Sequence, residues 1–382
     1  MQFVFWLSLL LIVYIYLGYP LLLALLARGK KPVSRDRALQ PSVSILIAAY
    51  NEADCIKATL INKLGLDYPR DKMEIIVVSD ASSDATDQIV TDFARHSDVP
   101  VKLVRQPARQ GKTAGLNRIA PMASGDIIVF SDANSLYAED ALQQLVAGFA
   151  DPAVGYITGK MVYTNPDGSL VGDGCSSYMK YENWLREKES LVGSIVGVDG
   201  GIDAMRRDLY EPLRADQLPD FVQPLKVVAK GYRVVYEERA VLKENALSHA
   251  GSEYTMRVRV ALRALWAMQD MKTLFNPLRY GLFSWQLLSH KLLRYLAFLP
   301  LLAVAVLNPL LAGNHPVYSG LLLAQAGFYL LAWLGKTRLQ AGKAPVYLSL
   351  PYYFTLLNVA SAHACWRYLK REKQVIWKPR EG

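Results

Sequence analysis

From Phe3 to Leu26 the chain carries no charged residue at all. A run that long and apolar has one stable backbone in lipid, a helix that satisfies its own N–H and C=O groups, and it constrains everything attached to it. Leu292 to Leu311, Tyr318 to Leu334 and Val346 to Cys365 are nearly as apolar and read as further membrane segments. They account for a composition of 52% hydrophobic and 20% charged residues, rich for a purely soluble chain. The first segment lacks a basic n-region and is long enough to span, which favours a retained anchor over a secretory signal. Arg28, Lys30, Lys31, Arg35 and Arg37 follow it closely, and the positive-inside rule puts what comes next in the cytoplasm. The net charge of +9, from 43 Lys and Arg against 34 Asp and Glu, gathers largely beside the apolar runs, so membrane contact explains it and nucleic acid is not called for. Cys55, Cys175 and Cys365 are odd in number and widely spaced, which indicates neither a disulfide framework nor a metal-thiolate site and fits a reducing compartment.

Between the apolar ends, strand-like and helix-like stretches alternate. Ser42 to Ala48 reads as a strand ending in Ala49-Tyr50-Asn51-Glu52, with helical composition from Ala53 to Leu64. Glu74 to Ser79 is a second strand closing on Asp80, and Asp84 is placed to cap a helix running to Arg95. Val101 to Arg105 makes a third strand, Lys112 to Met122 the next helix, and Glu139 to Phe149 another. Ile127 to Phe130 is unbroken and apolar, as in a strand buried on both faces, and it leads to Asp132, with Asn134 two residues on. The alternation predicts a parallel, helix-covered sheet. Three strand ends then bring Asn51 with Glu52, Asp80, and Asp132 with Asn134 to the carboxyl edge, where open α/β sheets bind ligands. Residues i and i+2 of an extended segment face one way, so Asp132 and Asn134 suit a divalent cation holding a diphosphate; a plain Asp-Ala-Asn turn is the alternative. No GxGxxG follows the first strand, which counts against a dinucleotide-binding dehydrogenase.

The motifs AAYNE (Ala48 to Glu52), SDASSD (Ser79 to Asp84), GKTAGLN (Gly111 to Asn117) and FSDANS (Phe130 to Ser135) stand in the order seen in family 2 glycosyltransferases. With its membrane segments the chain most resembles the anchored branch that includes cellulose, hyaluronan and poly-N-acetylglucosamine synthases. The resemblance implies an α/β GT-A fold, the nucleotide-diphospho-sugar transferase fold, with a mostly parallel sheet flanked by transmembrane helices. It implies a UDP-sugar donor held through Ala49, Tyr50, Asn51, Glu52 and Asp80, and Mg²⁺ or Mn²⁺ at Asp132 and Asn134 in place of the family's DxD. Two departures stand out: Ala48 replaces a common proline, and Asn134 replaces the second acid. Lys112 is either a solvated lysine at a helix start or the cation that stabilises the departing diphosphate.

The second half should hold the acceptor. Gly200-Gly201, inside VGVDGGIDAM, permits either a turn or a close approach by a sugar or backbone. LPDFVQPL resembles the family's acidic-pair motif with Pro219 in place of the usual first acid, leaving Asp220 as the base for an acceptor hydroxyl or, alternatively, as a helix N-cap. Glu211 and Asp216, in EPLRADQ, match no motif and are expected at the surface. EYTMRVRVALRALW, Glu253 to Trp266, predicts an amphipathic helix at the membrane surface. Processive relatives carry QxxRW hereabouts. No intact copy exists, and Arg259 and Trp266 are the nearest counterparts, with Arg257 beside them as a further substrate-binding candidate, so short products or single additions are expected. Phe283 to Tyr295 reads as an interface helix offering Trp285, His290, Lys291 and Arg294 to headgroups.

The basic loop at Lys336, Arg338 and Lys343 and the basic tail from Arg367 through Lys378 to Arg380 cannot both be the only cytoplasmic side. With Trp377 and Arg380 placed by resemblance near the catalytic face, one apolar segment, the one with Pro351, is expected to be re-entrant or interfacial. The organisation expected is an anchor at 1–27, a cytoplasmic GT-A domain at 40–250, interface helices at 251–291, a membrane region at 292–367 and a basic tail at 368–382. The function expected is an inverting, metal-dependent hexosyltransferase of the bacterial inner membrane, multi-pass, acting on a growing polysaccharide or lipid-linked glycan. Its partners would be the UDP-sugar, the acceptor, membrane lipid and a polysaccharide export system. The competing reading is a membrane-anchored nucleotide-sugar sensor without turnover.

Overall fold

The computed structural model describes residues 1–164, 174–245, 250–340 and 345–374. They gather into two compact units, one from 29–164 and 186–245 with Gln374, the other from 1–28, 174–185, 250–340 and 345–373. The expected tail positions Trp377, Lys378 and Arg380 and the loop residue Lys343 lie outside the described residues, as does the side chain of Cys175.

The first unit is built on one sheet of eight strands: β1 (Val43–Ala49), β2 (Met73–Ser79), β3 (Val101–Arg105), β4 (Ile127–Asp132), β5 (Leu136–Tyr137), β6 (Val154–Thr164), β7 (Ile202–Arg206) and β8 (Arg233–Asn245). Its order is β3-β2-β1-β4-β7-β6-β8-β5. The first four run parallel, β7 lies antiparallel between β4 and β6, β8 is parallel to β6, and β5 closes the edge antiparallel on β8. The parallel half is the part that the unbroken apolar runs predict. Ile45, Ile47, Ile75 and Val77 have no exposed surface and pack with Ile56, Leu60 and Val90 of the covering helices Ile56–Leu64 and Thr86–His96. Each such side chain contributes about 1.5–3 kcal/mol by leaving water.

Register decides what the carboxyl edge holds. Ala49 is level with Ser79, and Ala48 with Asp132, so β1, β2 and β4 end side by side. The strand after Gly200-Gly201 is the largest departure from the sequence reading, because two glycines and a mid-strand acid, Asp203, hide β7 from any apolar pattern. Both glycines have left-handed backbones, φ +76° and +75°, which side chains rarely adopt. Gly159 in β6 is demanded by contact instead, since a Cβ there would collide with the Ala240 carbonyl.

In the second unit, Gln2–Ala27 and Pro316–Leu339 are long and apolar enough to cross a membrane, and Leu282–Tyr295 with Phe298–Leu311 form a third candidate bent by 51°. The break therefore falls between Tyr295 and Phe298. The segment with Pro351, expected to be re-entrant or interfacial, is a continuous helix, Val346–Leu369, with Pro351 in its second turn, where it removes one backbone donor. The helix Ala250–Asp270 has the expected amphipathic span, but its Val258, Ala261 and Leu262 pack on Ala360 and Ala364 of that helix. His290 is a correction. It is 2% exposed, 3.2 Å from Glu182, and Arg294 reaches the same carboxylate at 2.6 Å, while the Trp285 indole donates to the Tyr14 hydroxyl. These groups turn inward because the carboxylate of Glu182 is buried with them and needs partners. Cys55 and Cys365 are free thiols.

Candidate active site

The sheet edge at β1, β2 and β4 carries the site, and the local backbone there is unusual. Asn51 and Ala81, one just beyond β1 and the other just beyond β2, both have positive φ, 53° and 58°. Ala81 has no polar side chain to compensate, so the conformation costs on the order of 1 kcal/mol and is held by its surroundings. The Asn51 side chain is tied to Ser83, accepting from its backbone N–H at 2.8 Å. Glu52 donates its N–H to Thr86 and its carboxylate accepts from the Cys55 thiol. Asp84 accepts from Thr86 and Ala53, and these hydrogen bonds outweigh its partial burial and hold its carboxyl below the usual range. It sits one residue ahead of the cap itself, Ala85.

Asp80 is 8% exposed and donates its backbone N–H to Ala49. Its carboxylate accepts from the Gln106 amide at 2.6 Å and from the N–H groups of Gln110 and Gly111 at 2.7 and 2.9 Å. Asp80 thus fastens the loop leading into the helix Lys112–Ile119 and fixes where Lys112 begins. Arg109 of that loop lies over the Tyr50 ring, 3.7 Å from its centre. Sequence reasoning passed over Arg109; a basic residue just ahead of GKTAGLN was the available signal.

Lys112 is the centre of charge. Its Nζ is 2.7 Å from Asp132 and 3.6 Å from Asp220. Burial works against its charged form, but the two carboxylates prevail and raise its pKa, so the ammonium stays charged. Asp220 is the second residue of the helix Pro219–Ala229, whose N-cap is Leu218 with no side-chain cap. The N-cap alternative is thereby replaced: Asp220 faces Lys112 and Gly200, where a Cβ would lie 2.8 Å from its Oδ2. A Cβ on Gly201 would lie 3.4 Å from Asp132 Oδ2. The two glycines therefore let the chain pass beside both acids. Glu211 pairs with Lys226 and Lys230, and Asp216 with Arg214; the Asp216 side chain is only 13% exposed, less open than expected.

The Asp132–Asn134 turn is gripped from behind by the helix Ile56–Leu64. Thr59 donates to the Ala133 carbonyl at 2.6 Å, fully buried Lys63 donates to the Ser135 carbonyl at 2.6 Å, and Asn62 exchanges two hydrogen bonds with Tyr137. Burial pushes the Lys63 pKa well down, with Asp132 opposing. The Tyr137 hydroxyl in turn donates to the Gly201 carbonyl at 2.7 Å. Asn134 points its amide nitrogen at Glu244, 3.5 Å away.

The donor set bears on whether a metal fits. Among the described residues no three acids, histidines or cysteines converge as a self-sufficient metal cage. Asp132 offers a carboxylate at the strand end, which suits an ion that keeps water and takes most of its oxygens from substrate phosphates, as Mg²⁺ does. Asp132, with the carbonyl oxygen of the Asn134 amide as second donor, would hold it.

Asp203, on β7, is the residue that sequence reasoning missed entirely. It is 2% exposed, and burial, then the neighbouring Asp220 and Asp199 carboxylates, push its pKa up to about 8. With Lys112, Asp220, Phe130, Tyr156 and Tyr210 it lines one pocket. Arg257, Arg259 and Trp266 belong to the other unit. There Arg257 pairs with Glu253 and lies over Tyr178, Arg259 is half-buried, and Trp266 packs on Tyr368 and donates to the Glu372 carbonyl.

Residues 44–214 match the family described as Glycosyl transferase family 2. The chain is 28% identical over 244 residues to a poly-beta-1,6-N-acetyl-D-glucosamine synthase of Staphylococcus epidermidis, covering 61% of this chain and 58% of that one. It is 29% identical over 197 residues to a beta-monoglucosyldiacylglycerol synthase of Trichormus variabilis, covering 51% and 42%. The chain thus spans about half the length of these relatives. Among solved structures it is similar to a mannosyltransferase from Pyrobaculum calidifontis in complex with GDP-Man and Mn²⁺, with a TM-score of 0.75 and 25% identity over 97% of this chain and 99% of that one.

Proposed function

We propose, for a chain that carries a family 2 glycosyltransferase domain on a GT-A fold, that it is a membrane-attached inverting transferase moving a hexose or N-acetylhexosamine from a nucleoside-diphosphate sugar, in our reading a UDP-sugar, to a glycan or lipid-linked acceptor. The observation that carries this is Lys112 between Asp132 and Asp220 at the carboxyl edge. Relatives that make polysaccharide or glycolipid support the acceptor class, and nothing in the comparisons favours a sensor without turnover.

The chemistry follows from the positions. The acceptor oxygen forms a bond to the anomeric carbon as the bond from that carbon to the diphosphate breaks, and the hydroxyl proton passes to Asp220. Negative charge grows on the departing diphosphate. Lys112, held charged by its two carboxylates, stabilises that charge without reorganising. A bound divalent cation would add charge neutralisation at the same phosphates. Asp80 holds the loop that carries Arg109 and Lys112, while Tyr50 with Arg109 offers a flat cationic stack beside Asn51. The candidate spans, and a relative named for making a glucosylated diacylglycerol, support attachment to the inner membrane through the second unit.

The test is release of nucleoside diphosphate by the purified protein from UDP-glucose, UDP-galactose, UDP-N-acetylglucosamine and GDP-mannose, with and without membrane lipid extract as acceptor source. Turnover of at least one donor that rises with acceptor is expected. Tight binding of a donor with no turnover under any condition would replace the transferase reading by a binding protein.

A further inference from the structure

The pocket lined by Asp220 and Lys112 also holds two polar side chains that are buried. Asp203 on β7 and Gln223 on the helix Pro219–Ala229 both line it, and each is 2% exposed. The Gln223 amide nitrogen is used, donating to the Glu211 carbonyl at 2.6 Å. Gln223 Oε1 and Asp203 Oδ1, by contrast, have no hydrogen-bond partner among the described residues. A buried oxygen left without a donor destabilises the fold, so two in one pocket are retained against a folding cost. Leu116 and Leu213 offer no donor, the Tyr210 hydroxyl is already donated to Asn117 at 2.9 Å, and the Tyr156 and Thr158 hydroxyls beside the Asp203 carboxylate leave its Oδ1 without a bond. The pocket walls also include Phe130 and Tyr210, whose rings stand 6.4 Å apart and tilted by 37°. Aromatic faces suit the C–H faces of a pyranose, whose edges carry hydroxyl donors.

We propose that Asp203 and Gln223 form a hydroxyl-reading subsite that positions a pyranose against Asp220 and so sets which sugar is accepted. This rests on the transferase reading above and deepens it. The hydroxyls belong either to the transferred sugar or to the acceptor sugar, since both must meet at Asp220. In either case the ligand is a pyranose with a donor group for each of the two oxygens. A site built to hydrogen-bond a hydroxyl rejects analogues that misplace it because its own buried groups are then stranded.

The experiment compares wild type with Gln223→Met, Asp203→Leu and Asp203→Asn, the last keeping an acceptor oxygen. Two arms separate the sources: hydrolysis of UDP-glucose, UDP-galactose, UDP-N-acetylglucosamine and GDP-mannose without acceptor, and transfer at saturating donor with varied acceptor. We expect Gln223→Met and Asp203→Leu to lower kcat/KM by about 10- to 100-fold in one arm and to flatten the preference among sugars there, with Asp203→Asn recovering most of it. Loss in the hydrolysis arm assigns the hydroxyl to the donor, and loss confined to acceptor KM assigns it to the acceptor. Gln223→Met decides the matter if Asp203→Leu does not fold. Unchanged kcat/KM and unchanged sugar preference in both arms, with melting temperatures equal to wild type, would overturn the subsite alone and leave the oxygens to ordered water. Failure of wild type to cleave any of the donors would instead overturn the transferase reading, and this inference with it.

Discussion

Replacing Asp220 by Asn separates a chemical role from a structural one, and the structure sets the size of each. The carboxylate makes no side-chain cap, because the helix begins at Pro219, one residue earlier, with Leu218 as its N-cap. Its structural value is then the sum of two small terms. A negative charge in the first helical turn is worth about 0.3–1 kcal/mol. The contact with Lys112 is 3.6 Å long with both side chains nearly a third exposed, which limits it to about 1 kcal/mol. Asn keeps the shape, so Asp220→Asn should cost no more than about 2 kcal/mol of stability, a few degrees in Tm. Loss of a general base, in contrast, removes about 10²- to 10⁴-fold in rate. The assay is transfer of labelled sugar to acceptor, paired with calorimetric titration of the donor and a melt of each variant. We expect near-normal donor affinity, a small drop in Tm and transfer nearly abolished, while Glu211→Gln and Asp216→Asn stay active. Wild-type transfer by Asp220→Asn would refute its role as base, whatever the stability result.

Asp132→Ala should abolish both activity and its dependence on divalent cations, whereas Asn134→Asp should be tolerated or tighten the ion; full activity in excess chelator speaks against any metal role. Asp80→Ala removes three donors' common acceptor and frees the loop before Lys112, so UDP affinity should fall by about 10- to 100-fold in a calorimetric titration, each charge-assisted bond being worth about 1.5–3 kcal/mol. Unchanged affinity would make Asp80 a purely structural residue. For Asp203 the sign runs opposite to the usual carboxylate. With its folded pKa raised to about 8 against an unfolded value near 3.9, the folded state keeps a proton that the unfolded state has lost, so stability falls as pH rises from about 4 through 8, by up to about 1.4 kcal/mol per pH unit. Melts from pH 5 to 8.5 without added metal should show Asp203→Asn gaining on wild type as pH rises, and parallel curves would show that the acid is not held protonated.

The parallel half of the sheet was legible in the sequence because its signals are local. Ile127 to Phe130 is a buried strand by composition alone, and the polar residues Asn51, Asp80 and Asp132 each end such a run. That they share one edge also follows from parallel pairing, which sets Ala49 level with Ser79 and Ala48 level with Asp132. Apolar length alone marked Gln2–Ala27 and Pro316–Leu339 as candidate spans. What the tertiary structure decided lies between elements distant in sequence. Lys112 could not be told from a surface lysine until folding set it between Asp132 and Asp220, and Asp220 could not be told from a cap until the helix was seen to take Leu218 as its N-cap. Lys63 looks like an ordinary helix residue, yet it is fully buried behind the Asp132 turn. His290 carries a polar side chain that local hydropathy sends outward, and only the carboxylate of Glu182, far off in the chain, makes its burial affordable. Asp203 sits in a strand that glycines disguise, and its raised pKa comes first from burial between β4 and β6 and then from the Asp220 and Asp199 carboxylates that folding brings near. Backbone preference and burial are written in runs of adjacent residues; charge, and therefore chemistry, is set by distance in space.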